Sequence, residues 1–185
     1  SIHQDLATQA ANPLIKQAVG RFSEAWREMG NDAGAILQKQ YITDNPNPAG
    51  KKHQLDAAPT GTPYDKAHAA YHPWLREFMT ERGYYDIFLF DPQGDLVYTV
   101  FKEPDFATNL LTGQWRDTDL SKAFQAAMKS APGTESFFDF NAYAPSDGAP
   151  ASFISTAIRD DNGAIIGVLA FQMPIGRINR IMQSA

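Results

Sequence analysis

Tyr84 to Phe101 reads Y-Y-D-I-F-L-F-D-P-Q-G-D-L-V-Y-T-V-F, two apolar runs joined by a polar turn. Ile87, Phe88, Leu89 and Phe90 predict a first strand; Leu96, Val97, Tyr98, Val100 and Phe101 predict a second. Between them Asp91-Pro92-Gln93-Gly94-Asp95 supplies a proline to fix φ and a glycine for positive φ, as a chain reversal requires. A hairpin alone says nothing about function, so its surroundings matter.

Upstream, Asn12-Pro13 opens a helix, with Asn as cap and Pro at the first helical position. Leu14, Ile15, Ala18, Val19, Phe22, Ala25, Trp26 and Met29 recur at the helical period, and Ile36, Leu37 and Tyr41 prolong the stripe past Gly30 and Gly34. Helix from residue 3 to 42 measures ~60 Å at 1.5 Å per residue, so it must project, bend near Gly30, or pair with another copy. Thr43 to Pro63 reads as a Pro- and Gly-rich connector, long enough to be mobile or functional. A second helix is expected from Tyr64 to Arg82, with a break at His72-Pro73.

Downstream, Asp117-Thr118 caps a helix carrying Leu120, Ala123, Phe124, Ala127 and Met128. Three strands follow, at Glu135 to Phe140, Ala151 to Ile158 and Ala164 to Met173. The last two are joined by Asp160-Asp161-Asn162-Gly163, whose Asn-Gly pair is a hairpin signal. An exit helix is expected over Arg177 to Met182. Residues 1–63 are thus an N-terminal helix with its connector, and residues 64–185 the sheet-bearing module. Together they predict one structural domain of α+β class: a long N-terminal helix packed on a PAS-like five-stranded antiparallel sheet.

The chain has 185 residues, enough to bury a sizeable core. Its net charge of −5, from 16 basic and 21 acidic residues, offers no basic stripe for nucleic acid or an anionic membrane. There is no cysteine, which excludes disulfides, thiolate metal sites and cysteine nucleophiles. No apolar run approaches the ~20 residues of a bilayer span. Both ends read as cut, so the chain is expected to be a soluble piece of a longer protein. No G-x-S-x-G, P-loop or H-E-x-x-H occurs, and no catalytic residue or cofactor is expected. His68 and His72 have the i, i+4 spacing of shared metal ligands, but two histidines on one helical face are more often packed or solvated, and no metal is expected.

Five segments carry a resemblance: Y-H-P-W-L-R-E-F at Tyr71 to Phe78, G-Y-Y-D-I-F-L-F-D-P-Q-G-D at Gly83 to Asp95, V-Y-T-V-F-K-E-P-D-F-A-T-N-L at Val97 to Leu110, D-F-N-A-Y-A-P-S at Asp139 to Ser146, and I-I-G-V-L-A-F-Q-M-P-I at Ile165 to Ile175. They resemble Cache-type sensor domains, the PAS-like extracytoplasmic modules of bacterial methyl-accepting chemotaxis receptors and related sensor kinases and cyclases. The resemblance implies the periplasmic part of an inner-membrane receptor, anchored by helices on either side, dimerising through its N-terminal helix and holding a small ligand. The amino-acid-binding subset carries a Tyr, Arg-x-Trp-Tyr and Asp pattern that is absent here, since Trp115-Arg116 has the reverse order and no Arg-x-Trp precedes Tyr84-Tyr85.

The expected ligand is a small polar or anionic metabolite such as a carboxylate, held between the sheet and the Lys102-to-Thr118 segment. Lys102 at a strand end, with Trp115 and Arg116 in the loop beyond, offers cations to a carboxylate. Asp139 interrupts an aromatic run, and Tyr143 lies close behind it. Tyr98 and, more weakly, Ser152 and Thr156 complete the candidate set. Against this stand plainer readings: a solvated Lys102–Glu103 edge, Arg116 paired with Asp117, and an exposed Asp139 beside packed Phe138 and Phe140. A ligand-free dimerisation spacer with an aromatic-filled sheet core, or a periplasmic hydrolase, are the rivals in function.

Overall fold

The computed structural model describes residues 1–174. Its centre is a five-stranded antiparallel sheet, β1 (Asp86–Phe90), β2 (Leu96–Thr99), β3 (Ser136–Ala142), β4 (Pro150–Arg159) and β5 (Ile165–Met173), in the order β2-β1-β5-β4-β3. Five helices flank it: α1 (Ile2–Ala11), α2 (Pro13–Met29), α3 (Ala33–Gln38), α4 (Pro63–Arg82) and α5 (Asp119–Lys129). This is the predicted α+β architecture, an N-terminal helical region laid on a five-stranded antiparallel sheet. The exit helix expected from Arg177 lies outside the described residues.

The long first helix is not continuous. Pro13 lacks an N–H, and Asn12 before it is extended (φ −69°, ψ 124°), its side chain accepting from Leu14 N at 2.9 Å. A short 3₁₀ turn at Gly30–Asp32 and a wide π turn at Lys39–Thr43 shorten the remainder, so the chain folds back onto the sheet instead of projecting. Conversely, α4 runs through Pro73, where a break was expected. Its start is fixed by a Thr62–Asp65 capping box, and His72 is anchored on both ring nitrogens, which holds the turn against the lost helical bond.

The hairpin turn forms as read: Asp91 accepts from Gln93 N and Asp95 N, and Gly94 takes φ 90°. Val100 and Phe101, however, lie beyond β2, which ends at Thr99. On one sheet face Ile15, Ala18, Val19 and Phe22 of α2 and Tyr64, Ala67, Tyr71 and Leu75 of α4 pack with Ile87, Leu89, Val97, Ile154, Leu169 and Phe171. On the other, Leu120, Ala123, Phe124 and Ala127 of α5 meet Phe88, Phe90, Leu96, Phe153, Val168 and Ala170. Each fully buried Leu, Ile, Val or Phe in these layers contributes about 1.5–3 kcal/mol. The N-terminal cap of α5 is Thr118, accepting from Ser121 N.

Candidate ligand-binding site

Strand alternation puts Asp86, Phe88 and Phe90 on the α5 face. Toward the α5 end that face is filled by aromatic rings: Phe88–Phe153 centroids are 6.0 Å apart and Phe90–Phe124 5.1 Å. At the opposite end it becomes polar. Asp86 is fully buried and stands directly across from Gln172 of β5, which is 2% exposed. Beside them the segment after β2 contributes Glu103 and Asp105, and the β3–β4 connection contributes Tyr143 and Ser146.

Hydrogen bonds tie this cluster together. Tyr143 Oη donates to Asp105 Oδ2 at 2.7 Å. Ser146 Oγ donates to Glu103 Oε1 at 2.8 Å and accepts from Gln172 Nε2 at 3.1 Å. Tyr85 Oη donates to Glu103 Oε2 at 2.8 Å. Asp86 Oδ1 accepts from the backbone N–H groups of Ile87 (2.8 Å) and Phe101 (3.0 Å). Three buried oxygens are left without a partner: Asp86 Oδ2, Asp105 Oδ1 and Gln172 Oε1. All three are acceptors, and an unmet buried polar atom costs about 1–3 kcal/mol.

The electrostatics follow from burial. Burial, and then the neighbouring Asp105, hold the Asp86 carboxyl well above the ordinary range. Burial pushes Asp105 up to about 7, against the opposing bond from Tyr143. Burial also raises Glu103. Lys102 is buried too, which lowers it to about 7. Its ammonium does not pair with these acids: it donates to Thr99 O and sits 4.4 Å from the Tyr98 ring centre and 4.9 Å from that of Phe106. Beside the cluster a groove of about 440 Å³ opens, lined in part by Ile42, Tyr85, Phe101, Lys102, Glu103 and Pro145.

The residues singled out in the sequence are scattered across the molecule. Tyr143 belongs to the cluster and Lys102 borders its groove. Tyr98 lies on the helix-side face, its ring stacked on Phe22 at 4.9 Å. Ser152 shares that face with Ile154 and has a buried hydroxyl without a partner; Thr156 donates to Thr134 O at 2.8 Å. Trp115 Nε1 donates to Pro104 O at 3.4 Å, and the exposed Arg116 turns back to Gly113 O at 3.0 Å. Asp139 is exposed, and its carboxylate accepts only from Phe140 N, at 2.7 Å. Arg116 and Asp139 therefore face away from the cluster, because the loop and the edge strand β3 direct them to solvent. Asp86, Asp105 and Gln172 were not among the expected residues.

His68 and His72 stack at 4.3 Å beneath the other face. His68 Nδ1 donates to Asp56 O at 2.6 Å, and His72 Nε2 donates to His53 O at 2.7 Å while its Nδ1 accepts from Tyr98 Oη at 2.6 Å. Burial holds both far below the usual imidazole range, hence neutral. These partners lock the rings as packing elements; among the described residues no group of three or more His, Cys, Asp or Glu is arranged for a metal ion.

The fold and cluster define an α+β domain with a buried polar cluster whose Tyr85 and Glu103 line a groove. No protein-family model matches the chain, and no curated protein does. Among solved structures it is similar to the sensor domain of the V. cholerae histidine kinase DctB, at 14% identity and a TM-score of 0.47, covering 97% of this chain and 60% of that one. It is similar also to the ligand-binding domain of the Pseudomonas fluorescens chemoreceptor CtaA, solved with L-serine (16% identity, TM-score 0.43, covering 88% and 57%). A third is the E. coli DcuS sensor domain (17%, TM-score 0.42, covering 86% and 98%). The chain spans about 60% of the length of the first two structures. No helix among the described residues is long and apolar enough to cross a membrane.

Proposed function

We propose that this chain is the extracytoplasmic ligand-sensing domain of a transmembrane receptor, taking up a small polar metabolite at the Asp86–Asp105–Gln172 cluster and its groove. The observation that carries this reading is the trio of unpartnered buried oxygens in a cluster that reaches the groove through Gln172–Ser146–Glu103 hydrogen bonds, Glu103 being part of the groove's lining. A core built only for stability would fill such positions with apolar side chains, since unmet buried polar atoms are costly and cluster at functional sites. The sensing step described is common to chemoreceptors, sensor kinases and sensor cyclases. Gln172 sits two residues before the end of the described chain, so a ligand drawing on it displaces β5 and whatever follows. A shift of that kind is bounded by the ligand's differential affinity for the two states. Pairing of two copies along the N-terminal helices is part of the proposal; Leu14 of α2 stands 45% exposed.

Thermal-shift screening against small metabolites tests the reading. A binding domain gains RT ln(1 + [L]/Kd), about 2.7 kcal/mol at a hundredfold excess over Kd. If no metabolite raises the melting temperature, the ligand-free spacer gains ground. The aromatic filling of the α5 face by Phe88, Phe90, Phe124 and Phe153 is the observation that favours this second reading.

A further inference from the structure

We propose that the ligand of this site is a small organic cation whose protonated amine is received by Asp86 Oδ2, Asp105 Oδ1 and Gln172 Oε1. The inference rests on the sensing role proposed above and replaces the carboxylate expected from the sequence. The reasoning begins with sign. Every unpartnered atom in the cluster is an oxygen, two of carboxyls and one of a carboxamide, and no nitrogen of the cluster is left over. Three acidic side chains, Asp86, Glu103 and Asp105, come from two neighbouring segments and have no ion-pair partner among the described residues. The cations that might have served an anionic ligand are engaged elsewhere: Arg116 with Gly113 O, Lys102 with Thr99 O within an aromatic cage, and Lys52, which also lines the groove, with Asn45 O at 3.1 Å. A carboxylate brought here finds only the protons of buried acids to share and is repelled by any that ionise, whereas an ammonium brings three N–H groups and is matched by their ionisation.

Specific contacts sharpen the choice. Both Asp86 Oδ1 and Asp105 Oδ2 are already held, by backbone N–H groups and by Tyr143, so each carboxyl presents one fixed, free oxygen. Gln172 is fixed the same way: its amide nitrogen donates to Ser146 Oγ, which leaves its carbonyl oxygen free. Such preorganised acceptors suit a charge-assisted bond. The adjoining groove gives apolar surface from Ile42, Phe101, Pro104 and Pro145 to the rest of the molecule. A primary amine on a short, partly apolar body fits that description. Burial favours the protonated form of Asp86 and Asp105, so a cation that binds beside them displaces their protons.

Isothermal titration calorimetry at neutral pH tests this with ethylamine, butylamine, ethanolamine and 1,4-diaminobutane, each against the alcohol of the same skeleton at matched ionic strength. Butyrate and succinate form the opposing set. The expected result is binding of at least one amine, with its alcohol weaker by about tenfold or more, the scale of one charge-assisted hydrogen bond. Asp105→Asn, which keeps an acceptor for Tyr143, lowers amine affinity by about tenfold or more, while Arg116→Ala leaves it unchanged. In the unmodified protein, bound amine shifts the side-chain amide resonances of Gln172, a readout that needs no variant to fold. Binding of carboxylates without amines overturns the cation inference and leaves the sensing role standing. Amine binding indifferent to Asp105→Asn and silent at Gln172 overturns the assignment of this site. Silence from every compound in both sets overturns the cation inference, while the sensing role stands or falls by the metabolite screen above.

Discussion

A carboxylic acid buried without a counter-ion keeps its proton to unusually high pH, and folding then depends on pH in a defined sense. Asp105 has a folded pKa of about 7 against an ordinary 3.8, so between these values the native state binds more protons than the unfolded chain. Stability therefore falls as pH rises through that window and levels off above it. Lys102 acts oppositely: lowered from 10.5 to about 7, it makes the unfolded chain the better proton binder in the alkaline window, where stability rises with pH. Taken by themselves, these two groups place a minimum of stability near neutrality, on which the lowered His68 and His72 and the raised Asp86 and Glu103 are superimposed. Melting temperatures taken across the range should show a falling acid limb that Asp105→Asn flattens and an alkaline rise that Lys102→Met flattens. At neutral pH the Asn variant should gain about 1–2 kcal/mol, because its amide needs no proton to be neutral. Identical slopes in variant and parent would show that these groups do not titrate as their burial demands. Part of this site was legible in the sequence. Asp86 opens the otherwise apolar run D-I-F-L-F, and alternation puts it on the same face as Phe88 and Phe90, which marks it as buried. Asp105 was not legible, because its burial depends on Tyr143, 38 positions away along the chain.

Helix α2 lies across the sheet at the point where β5 carries Gly167. A Cβ there would come within 2.5 Å of Phe90 O and 2.7 Å of Val19 Cγ2, so the missing side chain is what permits both the β1–β5 pairing and the approach of the helix. Gly167→Ala should cost about 1–3 kcal/mol through overpacking, read as a lower urea midpoint with an unchanged slope. A neutral outcome would mean that α2 is free to ride outward on the sheet. Elements bounded by local chemistry were read correctly: the Asp91–Gly94 reversal, the Thr118 cap of α5, and the Asp160–Gly163 turn, where Asp160 Oδ1 accepts from Asn162 N and Ala164 N. Those signals act over two to four residues and need no tertiary partner. Two readings failed for the complementary reason. Asn12-Pro13 does open a helix, α2, but continuity of helix from residue 3 fails, because the extended Asn12 separates α1 from α2. Pro73 was read as a break, yet Tyr98 and the His53 carbonyl, both supplied from outside the helix, hold the adjacent His72 in line. Tertiary anchoring overrode a local preference in that second case.

The candidate site draws on four stretches that are far apart in sequence: the start of β1, the segment after β2, the β3–β4 connection and the end of β5. A ligand that bonds Asp86, Asp105 and Gln172 stitches these together, and through Ser146 and Tyr143 it also steadies the connection that bonds them. The helix-side layer, with Phe22, Tyr64, Tyr71 and Leu75 packed under Ile87 and Leu169, touches none of the unpartnered acceptors. Binding should consequently change local opening unevenly. Hydrogen exchange on the saturated domain is expected to slow at residues 86–87, 101–106, 143–149 and 172–174, with α2 and α4 slowed only as far as global stability rises. Exchange from β5 is the most informative, since that strand carries Gln172 and is the element through which the proposed signal would leave. If protection instead spreads evenly over both layers, the ligand stabilises the domain as a whole without favouring one arrangement of β5. A sensor needs that preference, because a ligand with no differential affinity between two states shifts neither.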